Sequence, residues 1–415
     1  QRTETRPGEY DFRWLDDIAD NLLRRGLVPW MCLCYGNRLY DERAAERFGG
    51  LGCPPIRSEE QRRAWRRYVT AAVRHFSDRI TWWELWNEPD CEYSWNFDCN
   101  AAEYAAFARD TAAAVREGNP AAKIIGGSFA FAEIDYLDPL FRGGFADFCD
   151  AITYHVYSSD ESYDLERIGN LRAMIRRYRP GLPLIQGEGG CQSRSDGAGA
   201  LKGQMWTEEK QACSLSRHMV SQLGEDLMFT SYFSCMDMAE AHNGKVGESY
   251  HDFGYFGVLG ADFDENGIAT GNYTPKPSYR SLQVIASIFR ETFTAEPLPV
   301  QSVPGSDPRY GGGYRNIDLV DCRSYGFRKP NGSAAFVYWK KGNLLSERYE
   351  GSISLKFVQV PREPVRLVDL IDGTIHAPAP EQLEVVSGTD GGGTLHLRNL
   401  PLFDRPVLIA FGDFL

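Results

Sequence analysis

The sequence is defined first by what it lacks. None of its apolar runs nears the roughly 18 residues a bilayer-spanning helix needs, so nothing in it is expected to cross a membrane. Basic residues are outnumbered, with 45 Lys and Arg against 57 Asp and Glu. The resulting charge of −12 argues against a nucleic-acid partner, because phosphates are held mainly by Lys and Arg. The ten cysteines form no C-x-x-C, which removes zinc ribbons and dithiol redox motifs, and they are too dispersed for a disulfide scaffold. Cys32 and Cys34 read as buried free thiols, while Cys91 and Cys99 share one loop and are close enough in sequence to bridge. The seven histidines contain neither H-x-H nor H-E-x-x-H, so no metal site is expected. No G-x-G-x-x-G follows a strand, which leaves a dinucleotide cofactor without its phosphate turn; no cofactor is expected. The chain opens at Gln1 with neither Met nor an apolar leader, and the native N-terminus is expected upstream.

What is present is a strand–helix rhythm. Apolar strands at 27–35, 80–88, 123–128, 151–157, 183–188 and 227–235 alternate with amphipathic helices at 10–25, 61–77, 101–117, 134–149, 163–178, 207–223 and 277–290. Strands that are apolar throughout, joined by helical crossovers, predict an α/β fold with a parallel sheet buried on both faces. Without a dinucleotide fingerprint, a (β/α)8 TIM barrel is favoured over an open doubly wound sheet. Six strands do not close eight, so the first two strands are expected to be missing, before Gln1. Residues 291–313, rich in Pro and Gly, read as a linker. Short alternating segments follow at 333–339, 351–358, 365–370, 381–386, 394–398 and 406–411, which predict a C-terminal antiparallel β-sandwich. The expected domains are therefore a barrel over 1–290 and a sandwich domain over 291–415.

The chemistry concentrates at two strand ends. TWWELWNEPD (81–90) carries Glu88 at the C-terminal end of an apolar strand, where barrel enzymes present reactive groups. Trp82, Trp83 and Trp86 are expected around it, partly desolvating the carboxyl and favouring its acid form. PLIQGEGG (183–190) ends a second strand in Glu188. One hundred residues separate the two glutamates, three strand–helix units of about 33 each, so both sit at one level of the barrel. Carboxyls facing across a narrow barrel at about 5 Å suit double displacement at a glycosidic carbon, one protonated and one ionised. Glu84 shares parity with Glu88 but lies deeper and reads as a buried structural carboxylate. Tyr35 and Asn37, with Tyr40, follow the first strand and read as substrate-subsite candidates.

With these motifs the chain resembles the retaining (β/α)8 glycosidases of clan A, and the W-N-E-P form with a trailing sandwich is similar to glycoside hydrolase family 39, the β-xylosidases and α-iduronidases. The resemblance implies that Glu88 is the acid/base, Glu188 the nucleophile, and Asn87 the amide that bonds the sugar 2-hydroxyl. It implies that His155 and Tyr157, in YHVYS, lie near the nucleophile. Where the clan carries a stacking Trp at the end of strand eight, FTSYFSCMD offers Tyr232 and Phe233; Trp86 joins them as a substrate-binding candidate. The expected function is retaining cleavage of a β-linked polysaccharide or oligosaccharide of β-glucan or xylan type, a substrate that favours a secreted or periplasmic setting. The alternatives are a metal-dependent hydrolase on the same barrel and a catalytically inactive carbohydrate-binding protein.

Overall fold

The protein is described by a computed structural model covering residues 2–96, 98–239, 252–303, 305–306, 316–346, 348–387 and 393–415. Residues 240–251 lie outside it, as do parts of the 291–313 linker. The chain divides into two compact units.

The first unit is built from the described residues of 1–156 and 162–189. A short hairpin, β1 (Glu4–Arg6) and β2 (Glu9–Tyr10), leads into α1 (Arg13–Arg24) and β3 (Trp30–Leu33). Then follow α2 (Glu59–His75), β4 (Trp82–Leu85), α3 (Ala101–Gly118), β5 (Lys123–Phe129), α4 (Ile134–Arg142), β6 (Ala151–Val156), α5 (Ser162–Tyr178) and β7 (Leu184–Gly189). Two of the crossovers start where side chains cap free backbone N–H groups: Ser58 accepts from Gln61 N at α2, and Asn100 from Ala102 N and Glu103 N at α3. β3 to β7 pair in sequence order, all parallel. Trp30 and Trp82 pack with Ile125, Ala151 and Ile185 on the inner face, whereas Trp83 turns to Phe76 on the helix side. Among the described residues β3 has one partner strand, β4. An apolar groove of about 720 Å³ lies along α1 and β3, lined by residues including Trp14, Ile18, Leu22, Met31 and Leu33.

The second unit holds 157–161, 190–238 and 253–415. It contains α6 (Glu208–Gly224), a two-residue β8 (Phe229–Thr230), an antiparallel hairpin (Leu259–Phe263 with Ala269–Pro275) and α7 (Pro277–Ile288). Two antiparallel sheets follow, one of six strands and one of four. Phe336, Tyr338 and Ile409 of the first share one core with Leu355, Phe357 and Leu397 of the second, the interleaving of a sandwich. The other face of the six-stranded sheet (Val337, Trp339, Leu408) packs on Val220 of α6 and on Val284 and Ile288 of α7. These helices, expected with the barrel, thus fall in the same compact unit as the sandwich. At its heart Arg217 is paired with Glu161 at 2.7 Å, and Trp339 Nε1 donates to the same carboxylate at 3.0 Å. No described helix is long and apolar enough to cross a membrane.

Candidate active site

Glu88, His155 and Glu188 converge at the C-terminal ends of β4, β6 and β7. Adjacent strands bring two of them together through an irregular register. Tyr154 faces Gln186 but His155 faces Glu188, so β7 carries one extra residue, Gly187. That extra residue must lack a side chain, because a Cβ there would come within 2.2 Å of Thr153 Oγ1. Glu88 arrives by a different route. After Leu85 the chain leaves the extended region: Trp86 (φ 70°) and Glu88 (φ 49°) are both left-handed, which is unfavourable for residues with a Cβ and is often found at functional sites. Glu88 N still donates to Ser128 O at 3.1 Å, and Asp90 accepts from Ala130, Phe131 and Ala132 N at 2.7–2.9 Å, so the turn is clamped to the end of β5.

The result is compact. His155 Nδ1 lies 3.0 Å from Glu88 Oε1 and 3.9 Å from Glu188 Oε1. One ligating atom from each of the three residues falls within 4.8 Å of the others. Ser94 Oγ donates to Glu88 Oε2 at 3.4 Å. His155 is buried, while the two carboxylate side chains keep 21% and 28% of their surface, enough for a ligand to reach them. Burial alone would pull the imidazole pKa down. Glu188 beside it, the bond to Glu88, and the charges of Glu88 and Glu84 outweigh that and push it up to about 9. The imidazole therefore carries its proton at neutral pH. Below it, Glu84 is buried and its carboxyl is raised by that burial; Ser128 Oγ donates to it at 2.6 Å.

Other sequence candidates are placed differently. Trp86 should share the inner face with Glu84 and Glu88 by strand parity, but the left-handed turn breaks the alternation. Its ring lies fully buried among Trp65, Trp95 and Phe107, edge-on to Tyr35, with Nε1 donating to Ser94 O, so it cannot stack on a substrate. The expected tryptophan surround of Glu88 is replaced by His155 and Ser94. Tyr232 packs among Leu215, Met219 and Val258, with its hydroxyl 3.4 Å from Cys191 O; its neighbour Phe233 instead meets Tyr157 and Phe256 in an aromatic group of the second unit. Asn37 donates to Glu4 O and accepts from Leu39 N, which commits its amide to the loop. Asn87 is half-buried and its amide makes no hydrogen bond among the described residues. Tyr35 borders a cavity of about 90 Å³, and burial, then Cys34 and Cys32, raise its hydroxyl well above the usual range, with Glu88 and Glu188 contributing. All ten cysteines are free, Cys91 and Cys99 included. Ser94 and the clamp by Asp90 were not anticipated; only the acid directly after N-E-P hinted at the latter.

Comparison with known proteins agrees with this architecture. The profile of glycosyl hydrolases family 39 matches residues 2–303, most of the chain. Solved structures with the same fold include a family 39 enzyme from Xanthomonas axonopodis pv. citri (16% identity, TM-score 0.56, covering 97% of this chain and 83% of that one). A monomeric β-xylosidase from Caulobacter crescentus CB15 is similar at 18% identity and TM-score 0.55, covering 97% and 84%. The bacterial orthologue of human α-L-iduronidase is similar at 14% and 0.57, covering 99% and 73%. No curated protein sequence matches the chain. The protein is a glycoside hydrolase, with a carbohydrate as its substrate. Within that class the chain belongs to glycosyl hydrolase family 39.

Proposed function

We propose that the protein cleaves β-glycosidic bonds of an oligosaccharide or polysaccharide of xylan or β-glucan type, with retention of anomeric configuration. Glu188 is the nucleophile that forms the glycosyl-enzyme, and Glu88 the acid that protonates the leaving oxygen and then, as base, activates water. The observation that carries this is that one oxygen of Glu88 lies within 4.8 Å of one oxygen of Glu188. Retaining pairs stand roughly 5–5.5 Å apart, whereas inverting pairs need roughly 6.5–9.5 Å to admit a water between them. His155, one hydrogen bond from Glu88, holds a proton within exchange distance of the acid. The Asn87 amide, without a hydrogen bond among the described residues, suits the 2-hydroxyl contact, and Tyr35 supplies an aromatic wall. Tyr157 and Phe233 remain substrate-binding candidates in this proposal. The catalytic domain of this proposal is a TIM-barrel domain over 1–290, followed by a sandwich domain over 291–415. Product analysis on β-linked polysaccharides and aryl β-glycosides tests it, with Glu188→Gln as control. Turnover of β-xylosides or β-glucosides abolished in the variant is expected. Activity confined to α-linked glucans, or undiminished in Glu188→Gln, would overturn it.

A further inference from the structure

We propose that Glu88, His155 and Glu188 together bind a divalent transition-metal cation, and that the bound cation inhibits hydrolysis by occupying the place of the sugar. The inhibition half rests on the function proposed above; the binding half does not.

The donor set is two carboxylate oxygens and one imidazole nitrogen, the mixture that suits Zn²⁺, Co²⁺ or Ni²⁺ rather than the all-oxygen cations. Ligands held about 2.1 Å from such an ion lie roughly 3.0 Å apart in octahedral and roughly 3.4 Å apart in tetrahedral geometry. His155 Nδ1 and Glu88 Oε1 already stand at 3.0 Å, and His155 Nδ1 and Glu188 Oε1 at 3.9 Å. Closing the remaining gaps needs movement at the tips of two partly exposed glutamates. The imidazole is anchored: His155 is 2% exposed and its strand is in register with Glu188. This separates the site from a solvated acidic cluster, since one ligand is a buried nitrogen that cannot swing away. Two carboxylates neutralise a dication once Nδ1 releases its proton to solvent. The exposed side of the two glutamates leaves positions open for water. A sugar and a cation cannot share this space.

Co²⁺ is the probe, because the ten free thiols would otherwise confuse the assignment: thiolate ligation gives strong near-ultraviolet charge transfer, whereas nitrogen and oxygen ligation gives only weak visible bands. Titrating the full chain with Co²⁺ is expected to produce one equivalent of nitrogen–oxygen bands, inhibition competitive with substrate, and full reversal by EDTA. His155→Asn and Glu188→Gln are expected each to weaken that binding at least about tenfold. Should either variant misfold, displacement of the visible bands by substrate in the wild-type protein makes the same test. Thiolate bands alone, affinity unchanged in both variants, or bands that substrate leaves untouched would overturn the proposal. Wild-type turnover in EDTA, measured separately, tells a failed metal site from a failed enzyme assignment.

Discussion

Raising the pH removes the charge on His155, and its effect on stability follows from the geometry. The imidazole is held at about 9 in the folded protein, against an ordinary value of about 6.5 in the unfolded chain. A group raised on folding stabilises the fold fully below its unfolded value and loses that contribution as pH climbs through its folded value. The window is therefore pH 6.5 to 9. A difference of about 2.5 units at 1.36 kcal/mol each corresponds to roughly 3 kcal/mol. His155 is 2% exposed, so solvent screening discounts this little. Other groups also titrate in this range, and the measurement must difference them out. Urea unfolding of the wild type and of His155→Asn at pH 6 and pH 10 does so. The gap between them should shrink by roughly 3 kcal/mol at the higher pH, on top of a constant offset from lost packing. A gap that is the same at both pH values would refute the charged imidazole between the glutamates.

Glu88→Gln should lower kcat on substrates with poor leaving groups by about 10²–10⁴, the usual worth of a general acid, and far less on activated aryl glycosides; equal losses on both would contradict its role. Gly187→Ala should cost roughly 1–3 kcal/mol in urea unfolding, because its Cβ would lie 2.2 Å from Thr153 Oγ1 and push β6 from β7; a neutral substitution would mean that the spacing is loose. Glu161→Gln should destabilise by about 3–5 kcal/mol, since it removes the carboxylate charge beside the buried Arg217, whose Nε and Nη1 have no partner among the described residues. A loss under 1 kcal/mol would show water reaching the arginine.

Much of the parallel sheet was legible because buried parallel strands are written as apolar runs, and five of the six expected strands fall where β3 to β7 form. The sixth, 227–235, shortens to two residues, Phe229 and Thr230, since SYFSC after them departs from strand geometry. Cys322–Arg328 pairs fully with its neighbour yet escaped notice, because CRSYGFR mixes charge and glycine into a strand whose pattern is set by tertiary packing. Glu88 and Glu188 could be read from strand-end position and from spacing. Parity failed where the backbone left the strand: at Trp86, turned outward by a positive φ, and at Gly187, whose extra residue aligns Glu188 with His155. His155 was expected beside the nucleophile, but its shorter contact is to Glu88, a 0.9 Å difference that no strand count resolves.

If Glu88 and Glu188 work as a retaining pair, the anomer first released from substrate keeps the configuration of the bond cleaved. Proton NMR of a β-linked substrate during its first turnovers, before mutarotation, should show the β-anomer alone appearing and the α-anomer growing only later. Immediate release of the α-anomer would mean inversion and would contradict the account.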